Sequence, residues 1–331
     1  LLSAGAASNS GTITVTGDYS DGINSTNNNG SSSSGTITVT GKRVNGIRGN
    51  ADANLTGGSV IVTSSGNIVY SKNNGVHAVT GNASVSNATV TMNYGEYNNG
   101  VYAPAGNVNV TSSSTINLNS NSYSNGVYAP TGNTTVDGSA GRVTINVGKN
   151  GSTSSNSNGI NLTKNGATNN IQYTTVNMVG NNNIGVRIAE PGTTITFQHN
   201  NMNMNGTGNY GLYLAPSKSI TSISGNSTTS DGSSNVGIFI SEDAKITTIS
   251  GGSHTVNGTT STGIDIHTTK DTTISGTTFN VNNYSSTGIR AGRTTTPNDT
   301  STGNLNISGS TFNILNNSGN GSTTNANSAS A

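Results

Sequence analysis

The sequence predicts an all-β fold, a single parallel β-helix solenoid with three short strands per coil, about 26 residues per coil and about 11 to 12 coils. Three observations predict it. A Gly-aliphatic signature recurs at near-constant spacing, two segments of alternating apolar and polar residues follow each copy, and the composition is too poor in apolar residues for an ordinary globular core. Of 331 residues, 29% are hydrophobic, 5% aromatic and 8% charged, with no Cys and no Trp. A globular domain is about half apolar. Low apolar content also marks disorder, but disordered chains carry much charge and few β-branched residues. Recurrent Ile, Val and Thr in short alternating runs favour a narrow, repetitive core instead.

The signature runs Gly22-Ile23, Gly46-Ile47, Gly75-Val76, Gly100-Val101, Gly126-Val127 and Gly159-Ile160 in the first half of the chain. It continues as Gly185-Val186, Gly211-Leu212, Gly237-Ile238, Gly263-Ile264 and Gly288-Ile289. Successive glycines are 24, 29, 25, 26, 33, 26, 26, 26, 26 and 25 residues apart. The 33 marks an insertion, assigned to the Gly/Ser/Asn tract from Lys149 to Asn158. Pairs such as Asn107–Val110 with Thr115–Leu118, or Lys245–Ile249 with His254–Val256, alternate at period two and predict half-buried strands. Stacked coils then build one core that no coil could bury alone. The aliphatic residue after each Gly is expected in a buried column, and the Gly itself at a sharp corner with positive φ. Asn45, Asn74, Asn99, Asn125 and Asn158, which precede that Gly, are expected to stack as an amide ladder. The solenoid is expected over residues 11–315, with a leader or boundary segment at 1–10 and a polar tail or boundary at 316–331. The start, Leu1 to Ala7, reads either as the end of a signal peptide with small residues at its cleavage site or as the boundary of an excised segment.

Composition narrows the chemistry. Net charge is +1 and the 13 Lys and Arg are scattered, so no basic stripe for nucleic acid is present. No apolar run approaches the ~18 residues needed to span a membrane. Zero Cys removes thiolate nucleophiles and Cys-based metal sites. Twelve carboxylates are spread along the chain, and only Glu242 and Asp243 are adjacent; neighbours on a strand point to opposite faces, which is unsuited to paired acid/base work. Asp265 and Asp243 are a pair that coil stacking could bring closer. His77, His199, His254 and His267 show no metal-ligand spacing; they are expected on the solvated surface, with His267 close to Asp265 or Asp243 as the alternative. Gly206-x-Gly208-x-x-Gly211 matches a dinucleotide fingerprint but lacks the βαβ context, and reads as a turn. No catalytic residue, metal or cofactor is expected.

The rungs resemble the parallel β-helix repeat of pectate-lyase-like enzymes, tailspike proteins and autotransporter passengers. The Ser/Thr/Asn/Gly background, the absent Cys and the few charges resemble autotransporter (type V secretion) passenger domains most. Asn99-Gly100-Val101-Tyr102-Ala103-Pro104 and Asn125-Gly126-Val127-Tyr128-Ala129-Pro130 are similar to repeats of large fusobacterial-type autotransporter adhesins. The resemblance implies an extracellular or cell-surface adhesin or stalk without catalysis. Its partners would be a host receptor or glycan, or other bacterial surfaces. Membrane contact would run only through a C-terminal barrel that is not in the sequence, so the chain would be an excised passenger segment or a secreted form. Two rivals remain: a carbohydrate-active β-helix (lyase, hydrolase or tailspike-like depolymerase) and a cytotoxin-like passenger.

The position after each signature aliphatic should point outward. It reads Asn24, Arg48, His77, Tyr102, Tyr128, Asn161, Arg187, Tyr213, Phe239, Asp265 and Arg290. Tyr102, Tyr128, Arg187, Tyr213, Phe239 and Arg290 are therefore the candidate ligand-binding residues, since aromatics and Arg enrich binding surfaces. Coil-on-coil stacking of Tyr102 with Tyr128 and of Tyr213 with Phe239 would produce the same pattern, and the two roles are compatible.

Overall fold

The segment Thr115–Asn119, Thr-Ile-Asn-Leu-Asn, shows how each rung forms. Ile116 and Leu118 are buried, while Thr115, Asn117 and Asn119 alternate outward. β-Branched residues fit the pleat, and the apolar pair has one face to bury. The computed structural model describes residues 1–65, 71–119, 122–148, 156–190, 194–283, 285–292 and 303–314. Repetition of this pattern yields three parallel sheets of twelve strands each, and no helix among the described residues. Each coil contributes one strand to each sheet in turn, as in Asn99–Tyr102, Val108–Thr111 and Thr115–Asn119. At the spacing of parallel strands, twelve rungs make a rod roughly 50 Å long.

The aliphatic columns stack in register. In the first sheet Ile160, Val186, Leu212, Ile238 and Ile264 are successive partners, each at most 1% exposed. The second and third sheets add their own columns, such as Val85–Val110–Val136 and Ile116–Ile145–Val176. The three columns meet in a narrow shared core, which is why 29% hydrophobic content suffices.

The signature glycines differ from expectation. None of them has positive φ; they lie within the strand, and all but Gly288 have no room for a side chain. A Cβ at Gly126 would fall 2.5 Å from the carbonyl oxygen of Gly159 in the next coil and 3.1 Å from Cγ2 of Ile145 in the third sheet. Gly100 is caught in the same way between Gly126 and Ile116. The column is glycine because the next coil's carbonyl and the third sheet both close onto it. The left-handed corner falls three residues earlier, at Tyr19, Arg43, Lys72, Tyr97, Tyr123, Asn156, Asn182, Gly208, Ser234 and Thr260, all with φ between 50° and 70°. Gly208, from the fingerprint-like motif, thus belongs to a turn.

The ladder also starts earlier than expected. Leu2–Ser3 and Ala7–Asn9 already form strands, Ala7–Asn9 pairing with Ser31–Ser33. Their small polar residues conceal strand character in the sequence, where 1–10 reads as a leader or boundary. At the other end the last described strand is Thr311–Ile314; Leu315, the tail 316–331 and residues 149–155 of the insertion lie outside the described residues.

Because the glycine column is set by contact, Gly126→Ala should cost about 1–3 kcal/mol through overpacking. A thermal or denaturant melt reads this directly. A parent-like midpoint would show that the next coil and the third sheet do not close on that column.

Candidate functional site

The outward position of the first sheet forms one unbroken line. Register pairs connect Asn24, Arg48, His77, Tyr102, Tyr128, Asn161, Arg187, Tyr213, Phe239, Asp265 and Arg290 without a slip. All six candidate residues therefore lie on one face. Tyr102, Tyr128, Arg187, Tyr213 and Phe239 are half-buried and Arg290 is exposed, whereas Asn161 and Asp265 on the same line are buried.

Neighbouring coils explain the partial burial. His77 stacks on Tyr102 at 5.2 Å, Tyr102 on Tyr128 at 5.7 Å, and Tyr213 on Phe239 at 5.3 Å, the last two with planes within 17°. In-register parallel strands place identical positions one rung apart, so flat rings meet face to face, which stabilises by up to ~1 kcal/mol per pair. The rings keep only part of their surface in solvent, and burial raises the pKa of the Tyr102 phenol. Tyr210 sets its edge against both Tyr213 and Phe239, and His267 lies 5.0 Å from Phe239. The second group ends on Asp265, 1% exposed. Its carboxylate accepts both Nε (2.9 Å) and Nη2 of Arg290 and lies 3.0 Å from Nε2 of His267. That pairing raises the pKa of Arg290 and clamps the strand Thr287–Ala291 onto its neighbour. Of the two carboxylates considered near His267, Asp265 makes the contact.

The Asn ladder forms as expected. Asn74 donates to Asn45 at 2.8 Å, Asn99 to Asn74 at 3.0 Å, Asn125 to Asn99 at 3.1 Å and Asn158 to Asn125 at 3.0 Å. Asp21 ends it by accepting from Asn45. Burial raises the pKa of Asp21, opposed by its bonds to Asn45 and by Arg48.

Two columns escape a reading centred on the glycine. The first, two residues before it, is buried: Asn73, Asn98, Ser124, Ser157, Asn183, Asn209, Asn235 and Ser261. Each accepts a backbone N–H from the preceding coil, as in Asn183 to Asn209 and Asn209 to Asn235, both 2.8 Å. The second is the left-handed corner, whose side chains project outward. Aligning the repeats on the glycine and reading positions two and three residues upstream would have revealed both.

His199 is exposed, as expected of the histidines, and His77 and His267 are half-buried, but His254 departs from a solvated surface altogether. In the strand Ser253–Val256, His254 and Val256 share the inward face. His254 is 1% exposed, lies 2.8 Å from Thr228 Oγ1 through Nδ1, and stacks on Phe279 at 5.2 Å. Burial pushes its pKa down to about 4. His77 is also held down to about 4, first by burial and then by the Arg48 charge. Among the described residues no group of three or more His, Asp or Glu is gathered where it would hold a metal ion. No family model, no curated protein and no solved structure matches the chain.

A depressed folded-state pKa means that the unfolded chain binds the proton first. Stability is full above about pH 6.5 and falls as pH drops towards about 4, by on the order of 3 kcal/mol for His254. Denaturant melts across this range should show the loss, and His254→Leu should flatten it. An equally steep pH profile in His254→Leu would assign the effect elsewhere.

Proposed function

We propose that this chain is an adhesive rod displayed at an extracellular bacterial surface, with the first-sheet line as a contact face. The observation that carries this reading is the unbroken outward line itself. It gathers His77, Tyr102, Tyr128, Tyr213 and Phe239, with three Arg, on one face of a chain with only 5% aromatics. Contact surfaces favour Tyr and Arg because each combines a large apolar area with a polar tip. A stacked column holds these groups rigidly, so binding would lose little side-chain entropy.

The setting is argued from composition. Few charges, no Cys and a Ser/Thr/Asn/Gly surface resemble exported passenger domains. A solenoid suits display, because its length grows with coil number while each coil relies only on its neighbours. Host glycans or receptors, and other bacterial surfaces, are the proposed partners.

The test is attachment of purified protein to host cells and glycan arrays, scored per folded molecule. Tyr102→Ala with Tyr128→Ala should lower the melting temperature modestly through lost stacking and reduce attachment about tenfold. Attachment equal to the parent, at matched folded concentration, would remove this face from the contact surface.

A further inference from the structure

The left-handed corner between the third and first sheets is occupied by Tyr19, Arg43, Lys72, Tyr97 and Tyr123 in five successive coils. In the next five described coils the same position holds Asn156, Asn182, Gly208, Ser234 and Thr260. Asn and Gly enter this conformation readily, whereas large side chains resist it. The fold therefore does not require Tyr, Arg or Lys here. Bulky residues take this conformation elsewhere too, at Tyr173, His199 and Thr260; what sets this stretch apart is five successive coils that each present a large aromatic or cationic side chain at the same position.

Exposure points to the same place. Among the described residues, and apart from Leu1 and the residues of the first and last described strands, the exposed large hydrophobics are Tyr19, Tyr94, Tyr97 and Tyr123, at 74%, 47%, 37% and 49%. All four belong to this corner. The ridge is also ordered along the rod: the Arg43 guanidinium lies 5.7 Å above the Tyr19 ring, and Tyr97 stacks on Tyr123 at 5.3 Å and 12°.

The chemistry of the ridge is one-sided. All five tips are hydrogen-bond donors, two are cations, and the line carries no carboxylate. Asp18, Lys42 and Glu96 stand one residue upstream, so with Arg43 and Lys72 the corner carries a net +1. The Asp18 carboxylate is already taken by the Lys42 N–H at 2.9 Å and the Ser65 hydroxyl at 3.1 Å. Donors repeating at the coil rise of ~4.8 Å suit a linear ligand with about one sugar ring per coil, whose hydroxyls accept from Tyr and whose acidic group lies on Arg43 and Lys72.

We infer that the Tyr19–Arg43–Lys72–Tyr97–Tyr123 corner is a binding ridge for an extended anionic oligosaccharide, carboxylated or sulfated. The inference rests on the adhesive reading for its biological setting only. Calorimetry with a hyaluronan hexasaccharide, a heparin hexasaccharide and neutral maltohexaose tests it and separates carboxylate from sulfate. At least one anionic hexasaccharide should bind about tenfold or more tightly than maltohexaose, and salt should weaken that binding. Arg43→Asn with Lys72→Asn, and Tyr97→Asn with Tyr123→Asn, use the residue that the corner already accepts at Asn156 and Asn182. Both should lose about tenfold in affinity while the melting temperature holds or rises, which a merely structural ridge would not give. Equal binding of all three sugars, no binding to the parent, or parent-like affinity in either double variant would overturn the inference. A parent that binds the anionic sugar but does not attach to cells overturns the adhesive reading alone. A parent that attaches to cells but binds neither anionic hexasaccharide overturns the ridge alone.

Discussion

Everything in this rod depends on hydrogen bonding from one coil to the next at the corner between the third and first sheets. A chain that turns into its own core buries backbone amides that the sheets cannot satisfy, and each orphan costs about 1–3 kcal/mol. Here Val44, Asn73, Asn98, Ser124, Ser157, Asn183, Asn209, Asn235 and Ser261 each donate their N–H to the side chain one coil further on. Asn also returns a bond: Asn209 and Asn235 donate through Nδ2 to Gly180 and Gly206, at 3.0 and 2.9 Å. A shift of register by one residue would break every such bond and turn every aliphatic outward. Register is thus fixed by polar groups as firmly as by the core.

That lock explains the composition and its irregularities. Because short Asn and Ser side chains complete the backbone's hydrogen bonding, the core can be only a few side chains wide. It can also tolerate local faults. On the inner face of the third sheet, Met202 and Met204 are followed by Thr228 and Ser230, then by His254 and Val256. Among the described residues Ser230 Oγ finds no hydrogen-bond partner, and burial favours the neutral form of His254. Each coil is supported mainly by its neighbours, so such a weak joint stays local and makes this stretch an acid-sensitive part of the rod, as the coil that holds His77 is another.

The columns written in apolar residues were legible in the sequence. Ile160 to Ile264 and the outward line from Asn24 to Arg290 follow from period two and a repeat near 26. The amide ladder from Asn45 to Asn158 was legible because one residue type repeats next to the signature. The glycine was misread because Gly serves equally for positive φ and for close approach, and only the packing of the next coil and of the third sheet against it decides between them. The corner columns stayed hidden because their residue types change along the rod while their geometry does not. Tyr19, Arg43, Asn156 and Gly208 share one conformation and no side-chain chemistry.

The corner lock can be measured at a single amide. Asn209 N–H donates to Asn235 Oδ1 at 2.8 Å, so hydrogen exchange at Asn209 should be slow in the parent, as slow as at neighbouring strand amides. In Asn235→Ala it should accelerate by about tenfold or more, with strand amides in distant coils unchanged. Rapid, loop-like exchange at Asn209 in the parent, or slow exchange that Asn235→Ala leaves untouched, would contradict the corner lock.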